Sequence, residues 1–152
     1  MTDRQTAPDF TLPQDGGDPV TLSALRPSPV VLFFYPRDNT SGCTKEAKAF
    51  TALQADFEAA GAKVFGISKD DIAAHGKFRA KQELGIPLLS DAEGTTCEDY
   101  GVWKEKSMYG KMFWGIVRST FLIDGDGNIA REWRKVKVDG HAEEVLDAVK
   151  AL

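Results

Sequence analysis

The chain predicts an α/β fold, a single mixed central β-sheet flanked by helices with an N-terminal β-hairpin, and three observations carry that expectation. Val30-Val31-Leu32-Phe33-Phe34-Tyr35 is an unbroken apolar run rich in β-branched and aromatic residues, which reads as a strand covered on both faces. After it, Ala47, Phe50, Leu53 and Phe57 recur at helical spacing, and Ala62-Lys63-Val64-Phe65-Gly66-Ile67-Ser68 follows as another central strand. Later, Ser119-Thr120-Phe121-Leu122-Ile123 and a run from Ile129 to Trp133 flank the turn Asp124-Gly125-Asp126-Gly127-Asn128, which adds an antiparallel pair. Right-handed crossovers between the central strands accommodate this order in one sheet.

The remaining elements follow in sequence. Ala7-Pro8-Asp9-Phe10-Thr11-Leu12-Pro13 alternates apolar and polar residues, and Val20-Thr21-Leu22 follows the turn signal Asp15-Gly16-Gly17, which predicts the N-terminal hairpin. Pro27 and Pro29 bracket the approach to the main strand and Pro36 ends it. The helix that carries Cys43 is expected to stop at Gly61. Asp70 or Asp71 caps a further helix running to about Leu84, with Gly85 as its stop. Pro87-Leu88-Leu89-Ser90 is a short extended piece, and Asp91-Ala92-Glu93-Gly94 leads into a brief helix with Cys97 and Tyr100. From Gly101 to Val117 the chain is rich in aromatics and glycine without a clean period. A final helix places Val145, Leu146, Val149 and Leu152 on one face. The whole reads as one thioredoxin-like domain over residues 1–152.

Composition narrows the function. The length of 152 residues and 42% hydrophobic content are those of an ordinary globular domain, and the formal charge of −4 gives no electrostatic reason to bind nucleic acid or an anionic membrane. Arg131, Arg134, Lys135 and Lys137 form a basic cluster interrupted by Glu132 and apolar residues, so a solvated strand or loop face is expected there. Met1 to Thr6 has no apolar core of a secretory signal, and no apolar run is long enough to span a bilayer, so a cytoplasmic location without membrane contact is expected. Two cysteines, Cys43 and Cys97, are too few to staple a small secreted fold and are expected as thiols.

Pro36-Arg37-Asp38-Asn39-Thr40-Ser41-Gly42-Cys43 delivers a cysteine to a helix start straight after a buried strand. A free thiol has a pKa near 8.5, so little of it is nucleophilic thiolate at neutral pH unless the site favours the anion. A helix N-terminus supplies at most roughly 2 kcal/mol, whereas a nearby guanidinium lowers an acid's pKa by roughly 1 to 3. A cationic partner is therefore expected. With Thr40 as N-cap, Cys43 falls at N3, where a thiolate can take the acceptor role that a capping-box Glu or Gln plays. The Thr40 hydroxyl can donate and accept, which suits a small oxygen substrate beside the sulfur. Glu46, one turn on, opposes a thiolate unless a cation holds it, and it is read as a positioning partner for an arginine. The polar neighbours Asp38, Asn39, Thr40, Ser41 and Lys45 predict a partly exposed corner around Cys43 rather than an inert buried thiol.

Pro36-x-x-x-Thr40-x-x-Cys43 resembles the peroxiredoxin active-site motif, and Tyr35 through Glu46 is similar to the bacterioferritin comigratory, or Q-type, subfamily. Ala7-Pro8-Asp9-Phe10, Gly66-Ile67-Ser68, Leu89-Ser90-Asp91, Tyr100-Gly101-Val102-Trp103 and Arg118-Ser119-Thr120-Phe121-Leu122-Ile123-Asp124 resemble that subfamily in matching order, so the likeness covers nearly the whole chain. It implies a thiol peroxidase in which Cys43 attacks the terminal oxygen of hydrogen peroxide or an organic hydroperoxide and becomes a sulfenic acid. By the same resemblance Thr40 holds the peroxide, Pro36 shields the sulfur from water, and Arg118 stabilises thiolate and departing oxygen. It implies no metal and no organic cofactor, a monomer, and an outside thiol reductant: thioredoxin, glutaredoxin or a small thiol.

The chain departs from the pattern at the resolving cysteine. One position where relatives carry it is Lys48, the other lies around Phe78 to Lys81, and neither holds a cysteine. Cys97 remains, read as a buried structural thiol, with a resolving role as the alternative. A one-cysteine cycle is therefore expected, and a Cys43–Cys97 disulfide would require local unfolding of the first helical turn. Asp124-x-Asp126-x-Asn128 resembles the start of a calcium loop, but Ile129 and Lys135 stand where glycine and glutamate are needed, so a hairpin turn is expected. His75 and His141 lack ligand-spaced partners and are expected on the surface. Trp103 to Trp114, with Tyr109, Met112 and Phe113, reads as core or contact surface, or as an aromatic lip around the thiol. Rival functions are a dithiol oxidoreductase, disfavoured because Glu46 occupies the second-cysteine position, and a non-enzymatic redox-sensing or holdase module.

Overall fold

The computed structural model describes residues 5–152, apart from the side chain of Met108; of the N-terminal stretch Met1 to Thr6, residues 1–4 lie outside it. The apolar run became β3, Val30–Phe34, with every residue buried. Its alternating side chains serve two cores. Val31, Phe33 and Tyr35 face Phe50, Phe57, Phe78, Val145 and Leu146, whereas Val30, Leu32 and Phe34 face Phe10, Leu12, Tyr100, Val102 and Phe121. Burial of each such side chain contributes about 1.5–3 kcal/mol.

β3 pairs in parallel with β4, Lys63–Ser68, which pairs in parallel with β5, Leu88–Ser90. On its other side β3 pairs antiparallel with β8, Ser119–Ile123, and β8 with β9, Ile129–Arg134. The N-terminal hairpin is β1, Thr11–Gln14, with β2, Gly17–Thr21, and β1 joins β5 to complete the seven-stranded order β2-β1-β5-β4-β3-β8-β9. The expected mixed sheet is thus observed. Gly66 in β4 lies under the Phe33 ring, where a Cβ would come within 2.8 Å of Cζ. Phe33 in turn stacks on Phe50 at 4.7 Å between centroids.

The Cys43 helix differs from expectation. It forms α1, Ser41–Ala52, and α2, Gln54–Ala59, with the break at Leu53. The physical reason sits on either side of the break: Thr51 Oγ1 accepts from the Gly85 N–H, and Gln54 Nε2 donates to the Gly85 carbonyl. Next comes α3, Ile72–Gln82, capped by the Asp71 carboxylate, which accepts from the Ala74 N–H at 2.8 Å. It ends at Glu83 in the left-handed conformation (φ 54°), ahead of the expected stop at Gly85. α4, Thr96–Asp99, carries Cys97, and α5, His141–Lys150, buries Val145, Leu146 and Val149, with Leu152 beyond its end and exposed.

The stretch without clean period is a second sheet, β6, Trp103–Met108, with β7, Lys111–Ile116. Tyr109 and Gly110 form its two-residue turn, both with positive φ (53° and 77°). Tyr109, Met112, Phe113 and Trp114 are exposed, so this segment is not core; among its described residues only Trp103 and Ile116 reach the core. Asp124 Oδ1 accepts from the Asp126 and Asn128 N–H groups at 3.0 Å each, the bonding of a turn.

Both histidines correct the expectation of surface residues. His75 is wholly enclosed, its Nδ1 2.7 Å from Asp38 Oδ2 and its Nε2 2.8 Å from the Leu89 carbonyl. His141 is buried with Nε2 2.8 Å from Thr120 Oγ1, edge-on to Phe50 and Trp133. Partners remote in the chain satisfy both rings, which ligand-spacing arguments cannot detect.

Candidate active site

β3 ends against Pro36, and the loop to α1 turns sharply at Asn39 (φ 64°) before Thr40 takes the N-cap. The first helical bond runs from the Thr44 N–H to the Thr40 carbonyl, so the amides of Ser41, Gly42 and Cys43 precede the helical ladder, and no side chain caps them. Cys43 sits in this first turn. It is 1% exposed, a correction to the partly exposed corner read from its polar neighbours. Asn39, Thr40, Ser41 and Lys45 are exposed, whereas Asp38 and the N3 side chain of Cys43 turn inward.

Arg118, just before β8, reaches the sulfur. Its Nη2 donates to Cys43 Sγ at 3.3 Å and its Nη1 donates to Glu46 Oε1 at 2.8 Å. The space for this comes from Gly42, where a Cβ would lie 3.1 Å from Nη2. Burial works against the guanidinium charge, but Glu46 and Cys43 outweigh it and raise the Arg118 pKa. Glu46 is 1% exposed, and burial pushes its carboxyl up to about 7 despite the opposing pull of Arg118. Oε2 of that carboxyl has no hydrogen-bond partner among the described residues, in keeping with the upward direction.

Thr40 Oγ1 donates to the Arg37 carbonyl at 3.0 Å, which leaves its lone pairs to accept a hydrogen bond. Pro36 is half-buried in the same loop. Lys106 on β6 donates to the Ile116 carbonyl, and burial together with the Arg118 charge holds its pKa below the ordinary value.

Cys97 is on the other side of the sheet. Cys43 packs in the core that holds Val31 and Phe33, Cys97 in the one that holds Leu32 and Phe34. Asp91 caps the helix around Cys97, accepting from the Thr96 and Cys97 N–H groups at 3.1 and 2.8 Å, and is itself paired with Lys69. Burial, and then the Asp91 charge, push the Cys97 thiol well above its ordinary pKa. Both cysteines are free.

Sequence reasoning missed a polar network under the 36–40 loop. Asp38 Oδ1 accepts the Tyr35 hydroxyl at 2.6 Å, and the Asp38 N–H donates to Asp70 Oδ2 at 2.8 Å, which also accepts from Ser68 Oγ. No linear signal joins these residues to His75. Asp38, Asp70 and His75 offer atoms within 4.8 Å of one another, the spacing of a metal site. Both His75 nitrogens, both Asp38 carboxylate oxygens and Asp70 Oδ2 are engaged in hydrogen bonds, so a cation would have to break the network, and the residues do not fit one well.

A model of the AhpC/TSA family matches residues 4–132. Peroxiredoxin Bcp of Xanthomonas campestris is 48% identical over 94% of this chain and 89% of its own length. Peroxiredoxin Bcp of Bacillus subtilis is 45% identical over 96% and 93%. A solved structure of the Xanthomonas campestris bacterioferritin comigratory protein superposes with a TM-score of 0.88 at 46% identity, covering 93% of this chain and 90% of that one. With a cysteine and an arginine in contact at the start of α1 and likeness along almost its full length, the chain belongs to the AhpC/TSA family, among its peroxiredoxins of the Bcp or Q type.

Proposed function

We propose that the protein reduces peroxides with Cys43 as its peroxidatic thiol, Arg118 and Thr40 as substrate-binding groups and Pro36 as a shield. The observation that carries this reading is the 3.3 Å contact between the Arg118 guanidinium and the Cys43 sulfur. Negative charge on sulfur is stabilised there by the guanidinium and by the free amides of the first turn of α1. A peroxide enters beside the sulfur with its O–H donated to the Thr40 lone pairs. Sγ attacks the terminal oxygen, the S–O bond forms as the O–O bond breaks, and the charge that leaves sulfur appears on the departing oxygen. Arg118 follows that charge from one atom to the other. The departing oxide takes a proton and leaves as water or alcohol, and Cys43 is left as a sulfenic acid. The Xanthomonas campestris relative is described for its alkyl peroxide reduction activity, which supports organic hydroperoxides as substrates here too.

Glu46 holds Arg118 in register. Cys97 is read as structural, and its place across the sheet with a raised thiol pKa supports a one-cysteine cycle. The sulfenic acid then condenses with an outside thiol, releasing water, and a second thiol equivalent cleaves the mixed disulfide. Thioredoxin, glutaredoxin or a small thiol fills that role. Two free cysteines suit the reducing cytoplasm, and among the described residues no helix is long and apolar enough to cross a membrane. The chain is read as one domain, 1–152, working as a monomer; sedimentation should give a mass near 16.6 kDa.

Peroxide consumption under a thiol reductant tests the function. Cys43→Ser should abolish it, and a Cys43→Ser protein that still consumes peroxide at the wild-type rate would overturn the assignment.

A further inference from the structure

The charge of a buried histidine can be read from what its two nitrogens face. His75 Nε2 faces the Leu89 carbonyl oxygen at 2.8 Å, and a carbonyl only accepts, so Nε2 carries a proton. Nδ1 faces Asp38 Oδ2 at 2.7 Å, so one proton lies between imidazole and carboxylate. Imidazole is the stronger base by roughly 2.6 pKa units. The Tyr35 hydroxyl donates to the other Asp38 oxygen, a bond that favours negative charge on the carboxylate, and the Asp70 carboxylate lies in the same cluster. The ring is therefore an imidazolium.

The 35–38 segment contributes Tyr35 and Asp38, Ser68 ends β4 and Asp70 follows it, and β5 contributes the Leu89 carbonyl, while Arg79 on α3 itself is turned away to Asp15. Burial disfavours the charge, yet Asp38, Leu89 and Asp70 outweigh it and raise the His75 pKa.

What this pair holds is the loop that carries Pro36 and Thr40. Asp38 is tied at its backbone to Asp70 and at its side chain to Tyr35 and His75, so α3 and the segment that links it to β4 fix the middle of the span between β3 and α1. We propose that Asp38 and a doubly protonated His75 are positioning residues for peroxide reduction: the imidazolium pins Asp38 and thereby sets Thr40 and the first turn of α1 against the peroxide at Cys43. The proposal rests on the reading of Cys43 as the peroxidatic thiol. Its pH sense follows from the raised pKa. The anchor is fully present below about 6.5 and is lost as pH rises through the higher folded value.

Nitrogen-15 NMR of the wild-type protein should show both His75 ring nitrogens protonated at pH 7. Stopped-flow tryptophan fluorescence should show the rate of Cys43 oxidation by peroxide falling on the alkaline side with the midpoint at which His75 titrates. In His75→Gln the rate should drop ~10–100-fold at neutral pH, the cost of a misplaced group, and the alkaline fall should vanish. In Asp38→Asn the His75 midpoint should move down and the alkaline fall with it. A neutral His75 at pH 7, or a His75→Gln profile identical to wild type, overturns the proposal. Should His75→Gln fail to fold, the coincidence of midpoints in the wild type decides. Absence of any peroxide reaction at Cys43 in the wild type would instead remove the peroxidase reading, and this one with it.

Discussion

At the scale of single residues, the site is a contest between burial and charge, won by charge at Arg118 and by burial at Glu46. Its carboxyl is pushed up to about 7 from 4.5, a preference for the protonated form of roughly 3 kcal/mol in the fold. A folded pKa above the unfolded one means that the associated stability is fully present below about 4.5 and is lost as pH rises to about 7. Denaturant midpoints across that window should fall in the wild type relative to Glu46→Gln, by up to about 3 kcal/mol; parallel curves would show that Glu46 does not titrate there. Above that window the ionised carboxylate holds Arg118 most firmly. Arg118→Met removes the donor to sulfur and should slow Cys43 oxidation by roughly 100-fold or more in stopped-flow measurements. An unchanged rate would take Arg118 out of the site. Cys43, Thr40 and Glu46 could be named from the chain because they lie at intervals of three along the start of one helix, whereas Arg118 was reached through the family resemblance, since a single arginine before a strand carries no signal of its own. His75 could not be placed in the same way, since its partners Asp38 and Leu89 come from other elements.

At the scale of elements, legibility followed how much of each segment's fate was decided within the segment. β3, β4 and β8 carry apolar runs that only a two-sided burial explains, and they formed as expected. The break at Leu53 was illegible because it depends on hydrogen bonds to Gly85, a residue on another loop. β6 and β7 were illegible for two reasons. Exposed apolar residues on successive positions of β7 blur the period of two, and a tyrosine at the first turn position replaces the Asn-Gly signal that announces such hairpins. Among the elements that were legible, β4 is the most sensitive to size. Gly66 leaves no room between Phe33 and Leu88, so Gly66→Val should overpack the core and cost about 1–3 kcal/mol or more in chemical denaturation. A wild-type midpoint for that variant would show that Phe33 has another rotamer to adopt.

At the scale of the whole molecule, the mixed sheet divides the interior into two cores, and each holds one cysteine. The fold class was legible because the alternation of strand and helix allows few arrangements, but the order of strands across the sheet and the side of it on which Cys97 would lie were not, the latter since α4 is a single short turn. Cys97→Ala should leave peroxide turnover under thioredoxin or a small thiol within about twofold and cost about 1–2 kcal/mol of stability for the lost packing. Collapse of turnover in that variant would show that the two sulfurs do meet. The partition has a consequence under oxidant stress. In the proposed one-cysteine cycle, with a seven-stranded barrier between the sulfurs, a freshly oxidised Cys43 finds no internal thiol to trap it, and its lifetime is set by how fast a donor arrives from solution. When peroxide outpaces that donor, the same sulfur climbs to the sulfinic state and the molecule is spent, which makes the ratio of oxidant to reductant the limit on how many turnovers each copy completes.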